Sequence, residues 1–383
     1  MIRTPDVAAV RCGSYQPQEI GPAMERLLSL LGGLDWVRPG MRIAVKTNLV
    51  APKRPETAAT THPEALYALV RLLRERGAET VLGDSPGGPF HAAYLSAVYR
   101  MAGLEDAPAH GAQLNRNFDQ CTVHAPQAEM ARQFQYCAWL QQADAVIDFC
   151  KLKTHAMTGM TAAVKNLFGV VPGTLKSEYH LRYRGTEPFC SMLVDLAEYV
   201  RPRLCICDAV VGMEGNGPTS GRPRAFGVLA ASVSPHALDL WCARLLGLRP
   251  AAVPTLTEAV RRGLIPADCG ALTVAGDAAE LVIPDVDVPG RHSTLFDDRL
   301  PGPLGRAVGR VFDGVMGAHP AVNAAQCTGC GACAARCPAH AIVLRDGRPG
   351  IDRRACIRCF CCQEFCPVGA LYARRTWLAK RLG

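Results

Sequence analysis

Alternating strand-like and helix-like patterns run through the first three hundred residues of the chain. Short apolar runs predict strands, and segments whose apolar residues recur every three or four positions predict amphipathic helices between them. This alternation is typical of a mostly parallel sheet with helices on both faces, so residues 1–300 are predicted to form one α/β domain. The predicted strands are Val7–Cys12, Met41–Asn48, Glu79–Asp84, Ala145–Cys150, Leu204–Asp208, Phe226–Ser232, Leu272–Ala275 and Glu280–Ile283. The predicted helices are Gln18–Leu31, Pro63–Gly77, His91–Met101, Thr161–Phe168, Pro188–Val200 and Pro235–Leu246.

The pattern changes after the last predicted strand of this domain. Residues 284–320 are rich in proline and glycine around a single apolar stripe, so residues 301–322 are predicted to be a linker that contains an amphipathic helix. Residues 323–383 are predicted to form a small second domain that ends in a basic tail. The stripe consists of Leu304, Val308, Val311, Phe312 and Val315.

Two cysteine runs in the second domain carry the clearest chemical signal in the chain. Both have the spacing C-x2-C-x2-C-x3-C-P of bacterial two-cluster ferredoxins, in which the fourth cysteine of each run ligates the other cluster. Zinc or disulfides could explain one C-x2-C pair, but eight cysteines with both prolines favour iron–sulfur clusters. We therefore expect a bacterial ferredoxin-like α+β domain with two [4Fe–4S] clusters. One is predicted on Cys327, Cys330, Cys333 and Cys366, and the other on Cys356, Cys359, Cys362 and Cys337.

Composition narrows the class of protein further. Of the 383 residues, 49% are hydrophobic and 20% are charged, which is typical of a globular protein. The net charge of +8 is compatible with anionic substrates or acidic partners, but no basic run with interleaved aromatic residues indicates nucleic-acid binding. No stretch approaches the length of apolar sequence that a membrane span needs, and the N-terminus lacks an apolar signal core, so we expect a cytoplasmic protein. No dinucleotide or P-loop fingerprint is present.

Polar residues follow several predicted strands, and ligands bind at the carboxyl ends of strands in open α/β sheets. Lysines and histidines interrupted by glycines predict a cationic pocket there for a carboxylate or phosphate. His155, Lys153 and Lys165 are the candidate catalytic residues, and a metal held by His155 and His180 is left open. Asp84, Asp208 and Gly215-Asn216-Gly217 are equally consistent with caps or turns. The candidate substrate-binding residues are Lys46, Asn48, Lys151, Asn166, Asp84, Asp208, Glu214 and Asn216.

Six ordered strings resemble the domain-of-unknown-function 362 family. They are KTNLV (46–50), THPE (61–64), GDSPG (83–87), KLKTH (151–155), KNLFG (165–169) and MEGNGP (213–218). The resemblance implies an α/β fold and, since members often carry a C-terminal two-cluster ferredoxin module, an iron–sulfur protein. Ser234 stands where the family's aspartate-proline segment has aspartate. A remote likeness to nickel-pincer lactate racemases is an analogy only.

Three functions are compatible with these features. The first is an iron–sulfur oxidoreductase that passes electrons from both clusters, supplied by an external carrier, to a small anionic substrate at the lysine–histidine site. The second is an electron-transfer subunit whose α/β domain only docks a separate enzyme. The third is a non-redox isomerase with structural clusters. The lysine–histidine motifs favour the first, because docking alone does not need them.

Overall fold

A computed structural model describes residues 4–289 and 318–374 of the protein. The strands are β1 (Val7–Arg11), β2 (Arg42–Lys46), β3 (Glu79–Gly83), β4 (Ala112–Leu114), β5 (Gln120–His124), β6 (Gln133–Cys137), β7 (Ala145–His155), β8 (Gly159–Thr161), β9 (Leu204–Glu214), β10 (Arg222–Ser232), β11 (Val274–Ala275), β12 (His319–Val322), β13 (Ile342–Arg345), β14 (Arg348–Ile351) and β15 (Leu371–Arg374). The α-helices are α1 (Pro17–Leu30), α2 (Pro63–Glu75), α3 (Ala92–Met101), α4 (Ala107–His110), α5 (Ala163–Asn166), α6 (Leu175–Arg182), α7 (Thr186–Val200), α8 (Pro235–Leu245), α9 (Pro254–Arg261), α10 (Ala332–Ala335) and α11 (Cys361–Glu364).

Nine strands form one mixed, mostly parallel sheet. Its order is β11-β1-β10-β9-β7-β2-β3-β4, with β8 paired to the end of β7. The run from β9 through β7, β2 and β3 to β4 is parallel, whereas β10 is antiparallel to both of its neighbours. The carboxyl ends of β2, β3, β7 and β9 therefore lie at the same edge of the sheet, which is where a ligand is expected.

Helices cover both faces of this sheet, as the α/β prediction requires. Alternate residues of a strand belong to different apolar cores, since side chains alternate between faces. In β1, Ala8 and Val10 pack with helices α1, α2 and α3, whereas Val7 and Ala9 pack with α8 and α9. A third core joins α7 to the sheet through Ala44 and Val81. The predicted fold class is confirmed.

Local signals explain where α2 begins and ends. Pro63 occupies its first turn, and the side chain of His62 accepts a hydrogen bond from the Glu64 amide. Gly77 follows the helix with a φ of 77°, a conformation that glycine adopts without strain. The apolar residues spaced three or four positions apart in α2 are all buried, so periodicity identifies the packed face; they are Leu66, Leu69, Val70 and Leu73.

Several elements differ from the sequence-based prediction. The prediction of a strand at Glu280–Ile283 is wrong, because these residues form a turn and an extended segment outside the sheet. Strands β7, β9 and β10 each run to 11 residues, and β7 and β9 extend well beyond their predicted ends. The predicted helix from Thr161 is only the four-residue α5, followed by the 3-10 turn Leu167–Val170. The hairpin β5–β6 and the helices α6 and α9 were not predicted.

The small C-terminal module contains two strand pairs, β12–β15 and β13–β14, with the short helices α10 and α11. Residues 319–322, predicted as the end of the linker, form β12 and thus belong to this module. The apolar stripe at 304–315 and most of the basic tail lie outside the described residues. Within the described ranges, no helix combines the length and apolar character needed to cross a membrane.

Candidate functional site

A cleft lies at the carboxyl ends of β2, β3 and β7, between the α/β domain and the C-terminal module. It contains about 680 Å³ of empty space and is partly open to solvent. Helices α5 and α6 contribute one wall, and α11 of the module contributes another. Phe168 and Phe365 are the aromatic parts of the lining. The polar side chains of the lining belong to Asn48, Asp84, Ser85, Lys153, His155, Thr161, Lys165, Asn166, Lys176, Ser177, His180 and Glu364.

A buried ion pair between Lys46 and Asp84 lies at the base of the cleft. The distance from Lys46 Nζ to Asp84 Oδ1 is 2.8 Å, and both side chains are almost fully buried. Asp84 also accepts hydrogen bonds from the backbone amides of Leu49 and Ser85, each at 2.7 Å. A Cβ atom at Gly169 would lie 2.3 Å from Asp84 Oδ1 and 2.5 Å from Lys46 Nζ, so only glycine fits there. This ion pair holds the carboxyl ends of β2 and β3 together.

Helix α5 positions Lys165 and Asn166, and Asp239 of α8 fixes its start. The Asp239 carboxylate accepts hydrogen bonds from the amides of Ala163 and Val164, at 2.6 and 3.3 Å. The Asn166 carbonyl oxygen then accepts a hydrogen bond from Asn48 Nδ2 at 2.8 Å. Asp239 is therefore buried support for the site and not simply an acidic residue in the first turn of a helix.

Asp148 lies behind Asn166 and is fully buried. Its Oδ1 accepts a hydrogen bond from Asn166 Nδ2 at 2.7 Å, but Oδ2 has no hydrogen-bond partner in the described part of the chain. Burial raises the pKa of Asp148 to about 8, although the Lys46 ammonium acts in the opposite direction. The carboxyl group is thus protonated at neutral pH.

Lys151 and Asp208 form a second buried ion pair, and neither residue lines the cleft. They are register partners on β7 and β9, and Lys151 Nζ lies 2.8 Å from Asp208 Oδ2. Lys151 also donates a hydrogen bond to the Tyr15 hydroxyl at 2.7 Å, and that hydroxyl donates to Asp208 Oδ1 at 2.7 Å. Their partners are all internal, which gives this pair a structural role between the two strands.

Lys153 and Lys176 enter the cleft with only neutral hydrogen-bond acceptors. Lys153 Nζ donates to Asn48 Oδ1 at 2.7 Å and to the Ala59 carbonyl at 2.9 Å. Lys176 Nζ donates to the carbonyls of Ser85 and Val171 at 2.6 and 2.5 Å. Burial lowers the pKa of Lys153 to about 7 and that of Lys176 to about 8, so both titrate near neutral pH.

Lys165 and His180 lie against an aromatic wall. Lys165 Nζ is 4.8 Å from the ring centre of Phe168 and 5.5 Å from that of Phe189, and it forms no ion pair with any residue of the described ranges. His180 stacks on Phe189 with ring centres 4.0 Å apart. Burial, helped by the charge of Lys165, lowers the pKa of His180 to about 3, so this histidine is neutral. Its Nδ1 atom is buried and unpartnered among the residues described.

His155 at the end of β7 meets Glu364 of the module. The Nδ1 atom of His155 accepts hydrogen bonds from the amides of Met157 and Thr158, at 3.0 and 3.3 Å, which places the ring proton on Nε2. Nε2 then donates to Glu364 Oε1 at 3.2 Å. Burial lowers the pKa of His155, and the Glu364 carboxylate only partly opposes this. Burial alone would raise the pKa of Glu364, but the His155 hydrogen bond and the charge of Lys165 lower it to about 2.

The module is held against the α/β domain by the loop after β9. The side-chain amide of Gln363 donates to the carbonyls of Asn216 and Gly217 and to Asn216 Oδ1, at 3.1, 3.0 and 2.8 Å. Asn216 in turn donates to the Leu371 carbonyl at 3.2 Å. The candidate substrate-binding residue Asn216 therefore contacts the module and does not line the cleft. Glu214 pairs with Arg224 at 2.7 Å and also lies outside the lining.

The eight cysteines of the two runs lie in the module, and a cavity of about 300 Å³ separates Cys327, Cys330, Cys333 and Cys366. These four thiols line one cavity although Cys366 comes from the second run, and thiolates are the ligands that iron–sulfur clusters take. Burial raises the pKa of Cys362, and the thiols of Cys359, Cys356, Cys337 and Cys333 reinforce that increase, so Cys362 lies near cysteines of both runs.

A single metal ion on His155 and His180 does not fit the residues present. Both nitrogens of His155 are already hydrogen-bonded. Throughout residues 4–289 and 318–374, no three His, Cys, Asp or Glu side chains converge as ligands of one metal ion. The described residues therefore do not support a metal ion held by this histidine pair.

Sequence reasoning missed three contributors to this cleft. Glu364 and Phe365 were overlooked because nothing in a linear sequence shows that the module folds back onto the strand ends. Lys176 follows the pocket motifs in sequence but is not among the predicted site residues. The glycines and the proline before Lys176 (Gly169, Pro172 and Gly173) were the available signal, since they bring α6 back across the cleft.

An α/β domain joined to a cysteine-rich module over a lysine-lined cleft defines an iron–sulfur protein of two domains. The chain belongs to the family described as domain of unknown function DUF362, which matches residues 43–244. A 4Fe-4S dicluster domain matches residues 319–367. The resemblance found in the sequence is confirmed, and iron–sulfur binding is part of what this protein does.

One relative and two solved structures resemble parts of this chain. The chain is 33% identical over 287 residues to a thylakoid-associated protein of Synechocystis sp. The aligned region covers 74% of this chain and 87% of that protein. The lactate racemase apoprotein from Thermoanaerobacterium thermosaccharolyticum is 11% identical, with a TM-score of 0.37, over 60% of this chain and 54% of its own. The crystal structure of a protein from Thermotoga maritima is 12% identical, with a TM-score of 0.36. The match covers 56% of this chain and 55% of that protein. The chain spans about half the length of these two structures.

Proposed function

We propose that this protein is an iron–sulfur oxidoreductase that passes electrons from two [4Fe–4S] clusters to a small anionic substrate in the interdomain cleft. The observation that carries the proposal is that α11, which begins with Cys361 and Cys362, also carries Glu364 into the cleft. A cluster ligand and a wall of the cleft thus lie on one turn of helix. Electrons would have only a short path from that cluster to a bound molecule.

The cluster ligands are assigned as the sequence predicts. Cys327, Cys330, Cys333 and Cys366 would hold the first cluster, and Cys356, Cys359, Cys362 and Cys337 the second. The shared cavity of the first four thiols supports the exchange of the fourth ligand between runs. Cys361 is not assigned as a ligand, because its use as one would break the two-residue spacing between ligands. Cys337→Ser should therefore remove the electron paramagnetic resonance signal of the second cluster, and Cys361→Ala should keep both.

The charge balance of the cleft supports an anionic substrate. Asp84 is neutralised by Lys46, and Glu364 is hydrogen-bonded to His155. Lys153, Lys165 and Lys176 have no such acidic partner, so the cleft carries surplus positive charge when they are protonated. Clustered ammonium groups repel one another, and a bound carboxylate or phosphate would offset that repulsion.

The reaction we propose is the two-electron reduction of this substrate. Each cluster supplies one electron, and an external one-electron carrier restores both clusters. Two protons must reach the product. Lys153 is a suitable donor because its pKa of about 7 lets it release a proton at neutral pH, and Lys176, with a pKa of about 8, can supply the second proton. His155 was a candidate from the sequence, but it is neutral and already donates its Nε2–H to Glu364, so it positions that carboxylate and does not release a proton.

The test uses the full chain purified without oxygen, with iron and sulfide content confirmed. Small mono- and dicarboxylates and phosphates are screened for binding by calorimetry, and each bound compound is then mixed with the reduced protein while cluster absorbance is followed. We expect a bound anion to reoxidise the clusters, and Lys165→Ala to weaken its binding by about tenfold. Arg184→Ala removes an exposed cation elsewhere and should change nothing.

The two alternative functions give different results in this experiment. If the α/β domain only docks another enzyme, no small anion binds in the cleft, and Lys165→Ala behaves as wild type. If the clusters are structural, an anion binds but leaves the reduced clusters unchanged. Either result would overturn the proposed reaction.

A further inference from the structure

The first-cluster group reaches the surface of the module at Cys330. This cysteine is exposed and Cys327 is partly exposed, whereas Cys333 and Cys366 of the same group are buried. The first-cluster cavity is rimmed by two large apolar side chains that face solvent, since Leu344 is 40% and Val368 is 44% exposed. Exposed apolar side chains that surround a functional centre mark an interaction surface.

The tip of the hairpin β13–β14 contains two arginines and one exposed aspartate, Asp346, so it adds net positive charge to this rim. A Cβ atom at Gly329, in the first-cluster loop, would lie 2.4 Å from the carbonyl oxygen of Gly347, so the hairpin turn packs directly on that loop. Arg345 and Arg348 face each other across the turn, and both are exposed. Neither forms an ion pair with a carboxylate of the described residues. Each is next in sequence to a residue of the rim, Leu344 or Pro349.

The module as a whole also carries net positive charge before any cluster is bound. Residues 318–374 contain seven arginines and three acidic residues, and one of those acids, Glu364, faces the cleft. A bound cluster carries net negative charge, because its four thiolates exceed the charge of the iron–sulfide core, and this would repel an acidic protein. Arginines at the rim offset that repulsion and steer a negatively charged partner toward the exposed cluster.

We infer that the rim formed by Leu344, Pro349, Val368, Arg345 and Arg348 docks an acidic one-electron carrier protein, which exchanges single electrons with the first cluster. This rests on the electron-transfer part of the proposed function and is independent of the substrate. A few apolar side chains and two arginines make a small contact, which suits the transient encounters of redox proteins. Each transfer moves one electron from the reduced carrier to the oxidised first cluster, with no bond made or broken.

The experiment measures this electron transfer directly. An acidic plant-type [2Fe–2S] ferredoxin, reduced with dithionite and desalted, is mixed in an anaerobic stopped-flow instrument with the oxidised, cluster-loaded full chain. We expect a second-order rate constant that falls as ionic strength rises. The double variant Arg345→Glu/Arg348→Glu should lower that constant at least about tenfold at low ionic strength, and the difference should shrink at high ionic strength.

Two controls separate docking from damage. Arg132→Glu/Arg184→Glu makes the same change of charge on the exposed surface of the α/β domain, and it should retain at least half of the wild-type rate constant. Reduction by methyl viologen radical, a small cation, should be as fast or faster in the hairpin variant. An equal loss in both double variants would show that net charge alone matters and would overturn the docking surface.

Two other occupants of the rim would be revealed by parallel measurements. Flotation with anionic phosphatidylglycerol vesicles tests a membrane surface, and sedimentation velocity tests a second copy of the chain. If the hairpin variant abolishes either interaction but leaves the ferredoxin rate constant unchanged, the inference is wrong. The absence of salt-dependent transfer from the ferredoxin to wild type would also overturn it. None of these readouts uses the cleft, so they fail or succeed independently of the substrate.

Discussion

His155 and Glu364 are 209 positions apart in sequence, yet their side chains meet at 3.2 Å across the boundary between two domains. The histidine lies at the end of a central strand, and the glutamate lies on a helix that begins with two cysteines. Because the Glu364 carboxylate stays ionised, with a pKa of about 2, it places a negative charge next to the lysines of the cleft. The electrostatics of the cleft thus depend on the module.

Glu364→Gln should therefore strengthen anion binding. The amide keeps the size of the side chain and can accept the hydrogen bond from His155, but it no longer repels a bound anion. We expect about a tenfold gain in sulfate affinity, measured by calorimetry on the cluster-loaded protein. Glu79→Gln, on an exposed residue at the opposite end of β3, is the matched control. Unchanged or weaker binding in Glu364→Gln would contradict this account, provided that iron content is retained.

Anion affinity should fall as pH rises from 6 to 9. Lys153 and Lys176 have pKa values of about 7 and 8, so they attract an anion at pH 6 and are largely neutral at pH 9. Sulfate is the suitable probe, since its own charge is constant over this range. We expect at least about a tenfold loss of affinity between the two pH values.

Arginine at position 153 provides the control for that pH dependence. Lys153→Arg keeps its charge at pH 9 and should retain more of the affinity there, whereas Lys153→Met should bind weakly at every pH. A wild-type profile that is flat between pH 6 and 9 would mean that these lysines do not contact the anion.

Two lysines of the predicted site, Lys151 and Lys165, should differ in how much their replacement costs in stability. Lys151→Ala leaves the Asp208 carboxylate buried without its ion-pair partner, so we expect a loss of about 3–5 kcal/mol in stability. Lys165→Ala leaves no buried charge unpaired among the described residues and should cost less than about 1 kcal/mol. Thermal unfolding of both variants measures the difference. The double variant Lys151→Ala/Asp208→Ala should recover part of the loss, and no recovery would argue against the pair.

Asp148 should make the protein less stable as pH rises from about 4 to about 8. Its folded pKa of about 8 lies above the ordinary aspartate value, so the folded chain keeps a proton that the unfolded chain releases. Stability from this group is complete at low pH and is lost as pH rises through the folded pKa. In Asp148→Asn this contribution is absent, so the melting temperature of the variant relative to wild type should increase over that range. If the melting temperatures of wild type and Asp148→Asn changed with pH in the same way, the Asp148 carboxyl would not be protonated in the folded protein.

Much of the fold could be predicted because apolar periodicity survives wherever a helix packs on the sheet. The stripe of α2 and the short apolar strands are examples. The extension of β7 through Lys151-Leu152-Lys153-Thr154-His155 could not, because lysines in a buried strand look like the start of a solvated loop. Their burial depends on partners such as Asp208 of β9 and Asn48 in the loop after β2, which have no fixed sequence spacing from β7.

The kinds of side chain in the candidate site could be predicted from the sequence, but the full set of residues that line it could not. Strand ends in a parallel sheet predicted one cleft for Lys46, Lys151, Lys153, His155 and Lys165. Lys153, His155 and Lys165 line the cleft, whereas Lys46 and Lys151 do not. Lys151 could not be distinguished from Lys153 by sequence, since both alternate on the same strand and only the structure shows that one is paired with an acid. Glu364 lies beyond any sequence rule, because domain docking depends on surface shape.

The loop contact between Gln363 and Asn216 has a consequence for how the two domains communicate. A ligand that touches both walls of a cleft also tightens the docking of those walls, and by thermodynamic reciprocity tighter docking raises the affinity for the ligand. In the proposed ligand assignment, Cys362 of this helical turn holds a cluster, so release of that cluster would remove an anchor of the wall. The anion site would then lose affinity whenever the cluster is lost, and binding would occur only in molecules that are equipped to deliver electrons.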